Sequence, residues 1–528
     1  MKTILRTFVG CTAILFGTAC MGAVKYVPEN MKVELSLKVP GNNAVNYKLH
    51  PDKLENSYFD YEWRSDNKLP ITVFHKVEER DSCMRLTVQL TAAQDVYFNY
   101  RQLLSTGYRH DNCQFYMPGF WYRRNLRSPK KAPSFHTSDS WLVREDRLSA
   151  PLTGIFSEKE KRFMTVNRLD DFSMDALATH KEGEIILSGK TSLGFTGFEN
   201  QQGIAMLSFG FPYREAPKSY IRKLTLAPEV EAFQLMKKGE SVLLTWEIME
   251  SGADDFSDFI QHTWEHCYDT YAPKPVENSY SIADMKQVLS CFFVNSLVDN
   301  QPLVYNSGIH LKVSDCERNG QAEVGFIGRV LLNAFNAWEY GWQSNREELK
   351  VNSTKIFDSY LKNGFTQAGF FKESVNFDKG YEEPVHSIRR QSEGVYAMFH
   401  FLAYEKENGR RHPEWEQKLK RILDMFLQLQ NVDGSFPRKF RDDLTIVDPS
   451  GGSTPSATLP LVMGYKYFKD KRYLASAKHT VEYLEKELIS KSDYFSSTLD
   501  ANCEDKEASL YASTAAYYLA LATKGAER

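Results

Sequence analysis

The hydrophobic period changes once along this chain, and that change limits the fold more than any other feature. From about 24 to 250 the apolar residues alternate in short runs: KVELSLKV (32–39), RLTVQL (85–90), EIILSG (184–189) and SVLLTWEI (241–248). Period-2 patterning between turns such as PGNN and ENQQG predicts half-buried strands, and the length suits one large two-sheet sandwich. After Ser251 the period becomes helical, with about nine or ten helices to the chain end. The expected division is a leader over 1–19, a β-sandwich over 24–250, a linker and first helix over 251–280, and a helical domain over 281–528.

The helices are of two kinds. PEWEQKLKRILDMFLQLQ (413–430) and the segment 471–488 each carry one apolar stripe, so each shows a face to water. The segments 322–343, 389–406, 455–465 and 505–523 are apolar nearly all round, so protein must cover them on both sides. These inner segments are spaced at roughly 50 to 70 residues, the sign of a repeated helical hairpin. Inner and outer helices that alternate in sequence close into an α/α toroid, expected here to be of (α/α)6 type, and a stacked open solenoid is the alternative.

A toroid brings the loops ahead of its inner helices to one mouth. Those loops are SDCERNGQAE (314–323), YEEPVHSIRRQSE (381–393), DPSGGSTPS (448–456) and LDANCEDKE (499–507), all far more polar than the helices they introduce. Asp505 and Glu507 suit the first turn of a helix, where carboxylates meet free N–H groups. Asp433 lies in an NVDG turn, where Asp before Gly is ordinary turn chemistry. Asp315, Glu317, Asp500 and Glu504 are the acids that turn and capping chemistry leaves over, and they are the candidate catalytic carboxylates. Arg318, Arg329, Arg389, Arg390, Arg438 and His386 make the same rim basic, as paired recognition of a carboxylate or sulfate requires. Tyr381, Glu393, Asp433 and Phe436 complete the candidate binding set. In the first half, the cluster PGFWYRRN (118–125) is a candidate loop over the mouth.

The polar loops, the QNVDGSF turn (430–436) after an outer helix and a sandwich ahead of the helices together resemble the α/α-toroid carbohydrate-active enzymes, glycoside hydrolases and polysaccharide lyases. The resemblance implies an enzyme acting on an oligo- or polysaccharide. Hydrolysis by paired carboxylates is the leading expectation, and the basic rim points to an acidic glycan. Elimination next to a uronate would instead use Tyr381 or His386 as base, with Arg neutralising the uronate carboxylate. A non-catalytic glycan-binding protein is the third reading.

Net charge is −3, which gives no reason to expect nucleic acid as a partner. The first residues, MKTILRTFVGCTAILFGTAC, set Lys2 and Arg6 before a short apolar run, an export signal that ends at Cys20, a candidate lipid-anchor site. The eight Cys include no CxxC pair and no His/Cys metal spacing, so no metal or cofactor is expected. In an exported protein Cys83 and Cys113 can pair, the alternative being buried thiols.

Overall fold

A computed structural model describes residues 27–53, 60–80, 83–128, 131–170, 182–222, 225–311, 315–326, 328–450, 453–491, 493, 496 and 505–523. The chain divides into two compact units, Met1–Pro273 and Lys274–Arg528.

The alternating runs of the first unit form long antiparallel ladders. In one layer Met31–Lys38, Val96–Arg109, Ile204–Phe211, Phe195–Gln201 and Trp141–Arg144 pair in that order. In the other the order is Ile71–Glu79, Cys83–Ala92, Ser241–Gly252, Arg162–Arg168 and Leu152–Ser157. Alternation gives each layer an apolar face, and the two faces share one core that includes Val73, Leu86, Val88, Phe98, Leu207 and Ile248. Phe209 meets Trp246 with ring centroids 5.1 Å apart, and buried His75 hydrogen-bonds the Tyr100 hydroxyl at 2.7 Å. Trp121, from the PGFWYRRN cluster, is fully buried against Phe198 and Trp141, so it serves this core. Cys83 and Cys113 are buried free thiols; Cys113 donates to the Arg109 carbonyl at 3.2 Å. Helix α1 (Phe256–Tyr271), capped by Asp255 accepting from the Asp258 N–H, lays Phe256 and Phe259 on Phe156, Phe163 and Tyr122 of the same unit.

The second unit carries α2 (Ile282–Asn295), α3 (Val330–Gln343), α4 (Glu347–Asn363), α5 (Ile388–Glu407), α6 (Pro413–Leu429), α7 (Thr454–Phe468), α8 (Lys471–Leu484) and α9 (Lys506–Thr523). Helices α3, α5, α7 and α9 form the inner row, each packed on the next, and α4, α6 and α8 back them. The stripe on α6 is buried at Trp415, Leu419, Ile422, Leu423, Phe426 and Leu429. Helix α5 is buried nearly all round, as its composition predicts.

The row curls back on itself: Arg329, at the start of α3, donates to the Tyr511 hydroxyl of α9 at 3.3 Å. A stacked solenoid would hold its first and last inner helices far apart, so the toroid reading fits this contact and the solenoid does not. The described residues contain four inner helices, not the six of an (α/α)6 ring. Helix α9 has Leu510 and Tyr517 exposed because no further described inner helix covers that side. The first inner helix starts later than its composition suggests. Gln321–Glu323 is a short strand paired with Ser374–Asn376, and Arg329 holds a left-handed backbone with φ 42° just before α3.

Candidate functional site

The four described inner helices contribute residues from their N-terminal halves to one cavity of about 210 Å³. The start of α3 gives Arg329 and Leu332, α5 gives Ser392, Glu393 and Tyr396, α7 gives Ser456, Leu459 and Pro460, and α9 gives Leu510, Tyr511 and Thr514. This places the N-terminal halves of the inner row around a common space.

Glu393 is the one carboxylate among the described lining residues, and it is only 8% exposed. Its Oε1 accepts from Arg389 Nε at 3.2 Å, from Arg329 Nη2 at 3.4 Å and from the Tyr511 hydroxyl, while Oε2 accepts from the Phe326 N–H. Arg389 is buried to 1% exposure between the Phe326 and Tyr511 rings and is also paired with Glu507, with Asp505 at 3.9 Å. Burial alone would lower the Arg389 pKa, but the Glu393 charge, Tyr511 and Glu507 raise it. Burial, reinforced by the Glu393 charge, raises Tyr511 above the usual phenol value. Arg390 points the other way and donates to Glu323 Oε1 at 3.3 Å.

The close approach of 324–326 to Glu393 depends on Gly325. A Cβ there would lie 2.5 Å from Glu393 Oε2 and 2.9 Å from the Arg390 Cα. Two further groups on the wall, the Ser392 and Ser456 hydroxyls, are buried with no hydrogen-bond partner among the described residues. Buried hydroxyls without partners are costly, which fits groups kept for a ligand.

A second, open groove of about 700 Å³ lies beside the start of α5, lined by residues that include Lys372, Glu382, Glu383, His386, Arg441 and Asp442. His386 pairs with Asp442 Oδ1 through Nε2 at 2.7 Å, and its Nδ1 faces Glu373 Oε1 at 3.9 Å. Glu373 is fully buried and accepts from the Ser387 N–H at 2.6 Å and from Gln391 at 3.1 Å. Burial outweighs these bonds and pushes its pKa up to about 8.

The structure separates the residues singled out in the sequence. Glu393 and Arg389 belong to the central cavity wall and its support, and Arg390 stands behind them with Glu323. Tyr381 is half exposed with its hydroxyl on Glu383, so it and His386 lie by the outer groove, not the cavity. Asp315, Glu317 and Arg318 lie on or beside the exposed hairpin that pairs Ile309–Leu311 with Cys316–Arg318. Asp315 Oδ1 accepts from the Cys316 N–H and Arg318 donates to the Asn295 carbonyl at 2.8 Å. None of these three lines the cavity. Asp433 closes its turn by accepting from Ser435 N–H and Oγ, at 2.9 and 2.6 Å. Phe436 is fully buried against Phe426, where it cannot stack on a ligand, and Arg438 is buried with Asp448 Oδ2 at 3.5 Å. Asp500, Glu504 and Cys20 lie outside the described residues.

Sequence reasoning passed over Tyr511, which sits inside an apolar helix, and did not single out Ser392 and Ser456, although both stand in the polar segments 381–393 and 448–456. In the structure Tyr511 and Glu393 occupy the same position counted from the starts of α9 and α5, a match that the sequence-read starts at 505 and 389 do not give.

No protein-family model and no curated protein sequence matches the chain. Among solved structures, a polysaccharide lyase is similar at 12% identity and a TM-score of 0.36, covering 94% of this chain and 83% of that one. An unsaturated glucuronyl hydrolase from Bacillus sp. GL1 is similar at 14% identity and a TM-score of 0.32, over 41% of this chain and 61% of that one. A D-mannose isomerase is similar at 18% identity and a TM-score of 0.32, over 39% of this chain and 56% of that one.

Proposed function

We propose that this chain is an exported carbohydrate-active enzyme that cleaves an acidic, uronate-bearing glycan in the cavity at the N-terminal ends of α3, α5, α7 and α9. The observation that carries the reading is the wall itself: one described carboxylate, Glu393, shared by Tyr511 and two Arg, beside two unpartnered hydroxyls. The export signal read in the first residues supports action outside the cytoplasm.

This arrangement favours β-elimination. Arg329, 36% exposed at the cavity, receives the uronate carboxylate and makes the neighbouring C5–H more acidic. Tyr511 takes the C5 proton while its own proton passes to Glu393. The electron pair left at C5 forms the C4–C5 double bond, and the C4–O bond breaks with the pair going to the leaving oxygen, which is protonated from the reopened base or from water. The Ser392 and Ser456 hydroxyls bind sugar hydroxyls.

Hydrolysis is the second reading, favoured by the acids ahead of α9. Asp505 stands 3.9 Å from Arg389, and Asp500 and Glu504 precede it directly in sequence. Glu393 and one of these would then form the acid and base pair.

The test is the full chain on a panel of acidic and neutral polysaccharides, reading new reducing ends together with the ultraviolet absorbance of a conjugated uronate. Elimination gives both signals, and Glu393→Gln and Tyr511→Phe each lower kcat about 100-fold or more. Reducing ends without absorbance, with full activity in Tyr511→Phe, would replace elimination by hydrolysis. Binding without turnover on every glycan would leave a glycan-binding protein.

A further inference from the structure

Three side chains that sequence spacing does not connect meet in the first unit. Cys83 opens the strand Cys83–Ala92, Glu247 lies on the neighbouring strand Ser241–Gly252, and His266 comes from α1. Cys83 Sγ, a Glu247 carboxylate oxygen and a His266 ring nitrogen all lie within 4.8 Å of one another. Cys83 and Glu247 are buried, and the His266 side chain keeps 20% exposure, which leaves a path from solvent.

The groups converge on one oxygen. His266 Nε2 is 2.7 Å from Glu247 Oε1, and the Thr270 hydroxyl donates to the same oxygen at 3.0 Å. Arg85 faces the other oxygen, Oε2, at 3.7 Å, so the oxygen that meets His266 and Thr270 is not taken up by the guanidinium.

We propose that Cys83, Glu247 and His266 bind a zinc ion that ties α1 to the sheet. One thiolate, one imidazole and one carboxylate form a mixed sulfur, nitrogen and oxygen set of the kind zinc accepts, with a fourth position left for water. Hard cations such as calcium or magnesium would not use the sulfur. The charge balances, since Cys83 thiolate and Glu247 carboxylate neutralise the dication. Binding releases the Cys83 thiol proton to solvent, breaks the His266–Glu247 hydrogen bond and replaces both with metal–ligand bonds.

The probe is Co²⁺, then Zn²⁺, added to the reduced, chelator-treated full chain with the exposed Cys291 and Cys316 changed to Ser. One equivalent of Co²⁺ gives a near-ultraviolet thiolate-to-cobalt charge-transfer band that Zn²⁺ abolishes, and Zn²⁺ raises the melting temperature of the first unit. Cys83→Ser removes the band, and His266→Gln weakens Co²⁺ binding at least about tenfold. Circular dichroism confirms that each variant is folded, and Glu247→Gln serves where Cys83→Ser is not. No band in the parent protein, or a band that survives in folded Cys83→Ser, overturns the proposal.

Discussion

Glu373 shows how much a single buried group can set the pH response of the helical unit. With its pKa pushed up to about 8 against an ordinary 4.5, it holds a proton in the folded protein that the unfolded chain gives up. The sign follows: the contribution to stability is fully present below the unfolded value and is lost as pH rises through the folded one. Thermal melts should therefore show Tm falling between pH 4.5 and 8, by at least about 2–4 °C for each kcal/mol lost in a unit of this size. Glu373→Gln, which stays neutral and keeps an acceptor for the Ser387 N–H, should flatten that slope. An unchanged slope in the variant would mean that other groups carry it. The sequence gives no sign of this residue, because a Glu directly after Lys372 looks like a surface acid; only burial beside His386 and Ser387 makes it unusual. Glu393 was easier to find, standing with two Arg in a helix-start segment, and its role depends on which of them folds inward. Arg389 does and Arg390 does not, a distinction that adjacent identical residues cannot reveal.

At the scale of elements, the inner and outer helices were readable because burial on two sides or one leaves different apolar stripes. Helices α5, α6 and α7 fall within a few residues of their predicted bounds. The start of α3 was not readable, since residues 322–329 are apolar enough to extend a helix, yet Gln321–Glu323 form a short strand and 324–326 a loop. That loop is built around a contact, not a propensity. Val324 is buried, and a Cβ on Gly394 of α5 would come within 2.4 Å of it, so a glycine on the helix lets the loop approach closely. Gly325 makes the matching approach from the loop side. Gly325→Ala should cost about 1–3 kcal/mol, read by urea unfolding, because its Cβ meets both the Glu393 carboxylate and the Arg390 backbone. It should also lower kcat by displacing the Phe326 N–H from Glu393. A variant with unchanged stability and unchanged kcat would show that the loop is free to move away.

For the whole molecule, the two folding units divide after α1 and not at the change of hydrophobic period, because α1 packs on the strands of the first unit. Every member of the sandwich core precedes Pro273, and every member of the helical core follows Lys274. Between α1 and α2 the residues 272–281 are all exposed, so no core element spans the division. Each unit therefore has its own apolar core, the physical requirement for folding alone. Separately expressed 27–273 and 274–528 should each unfold cooperatively, with circular dichroism dominated by strand in the first and by helix in the second. The functions should separate with them. Every described cavity residue lies in the second unit, so 274–528 should cleave glycan and lose that activity with Glu393→Gln, while the Zn²⁺ effect on melting should appear only in 27–273. A folded but inactive 274–528 beside an active full chain would show that the second unit alone is not sufficient for cleavage.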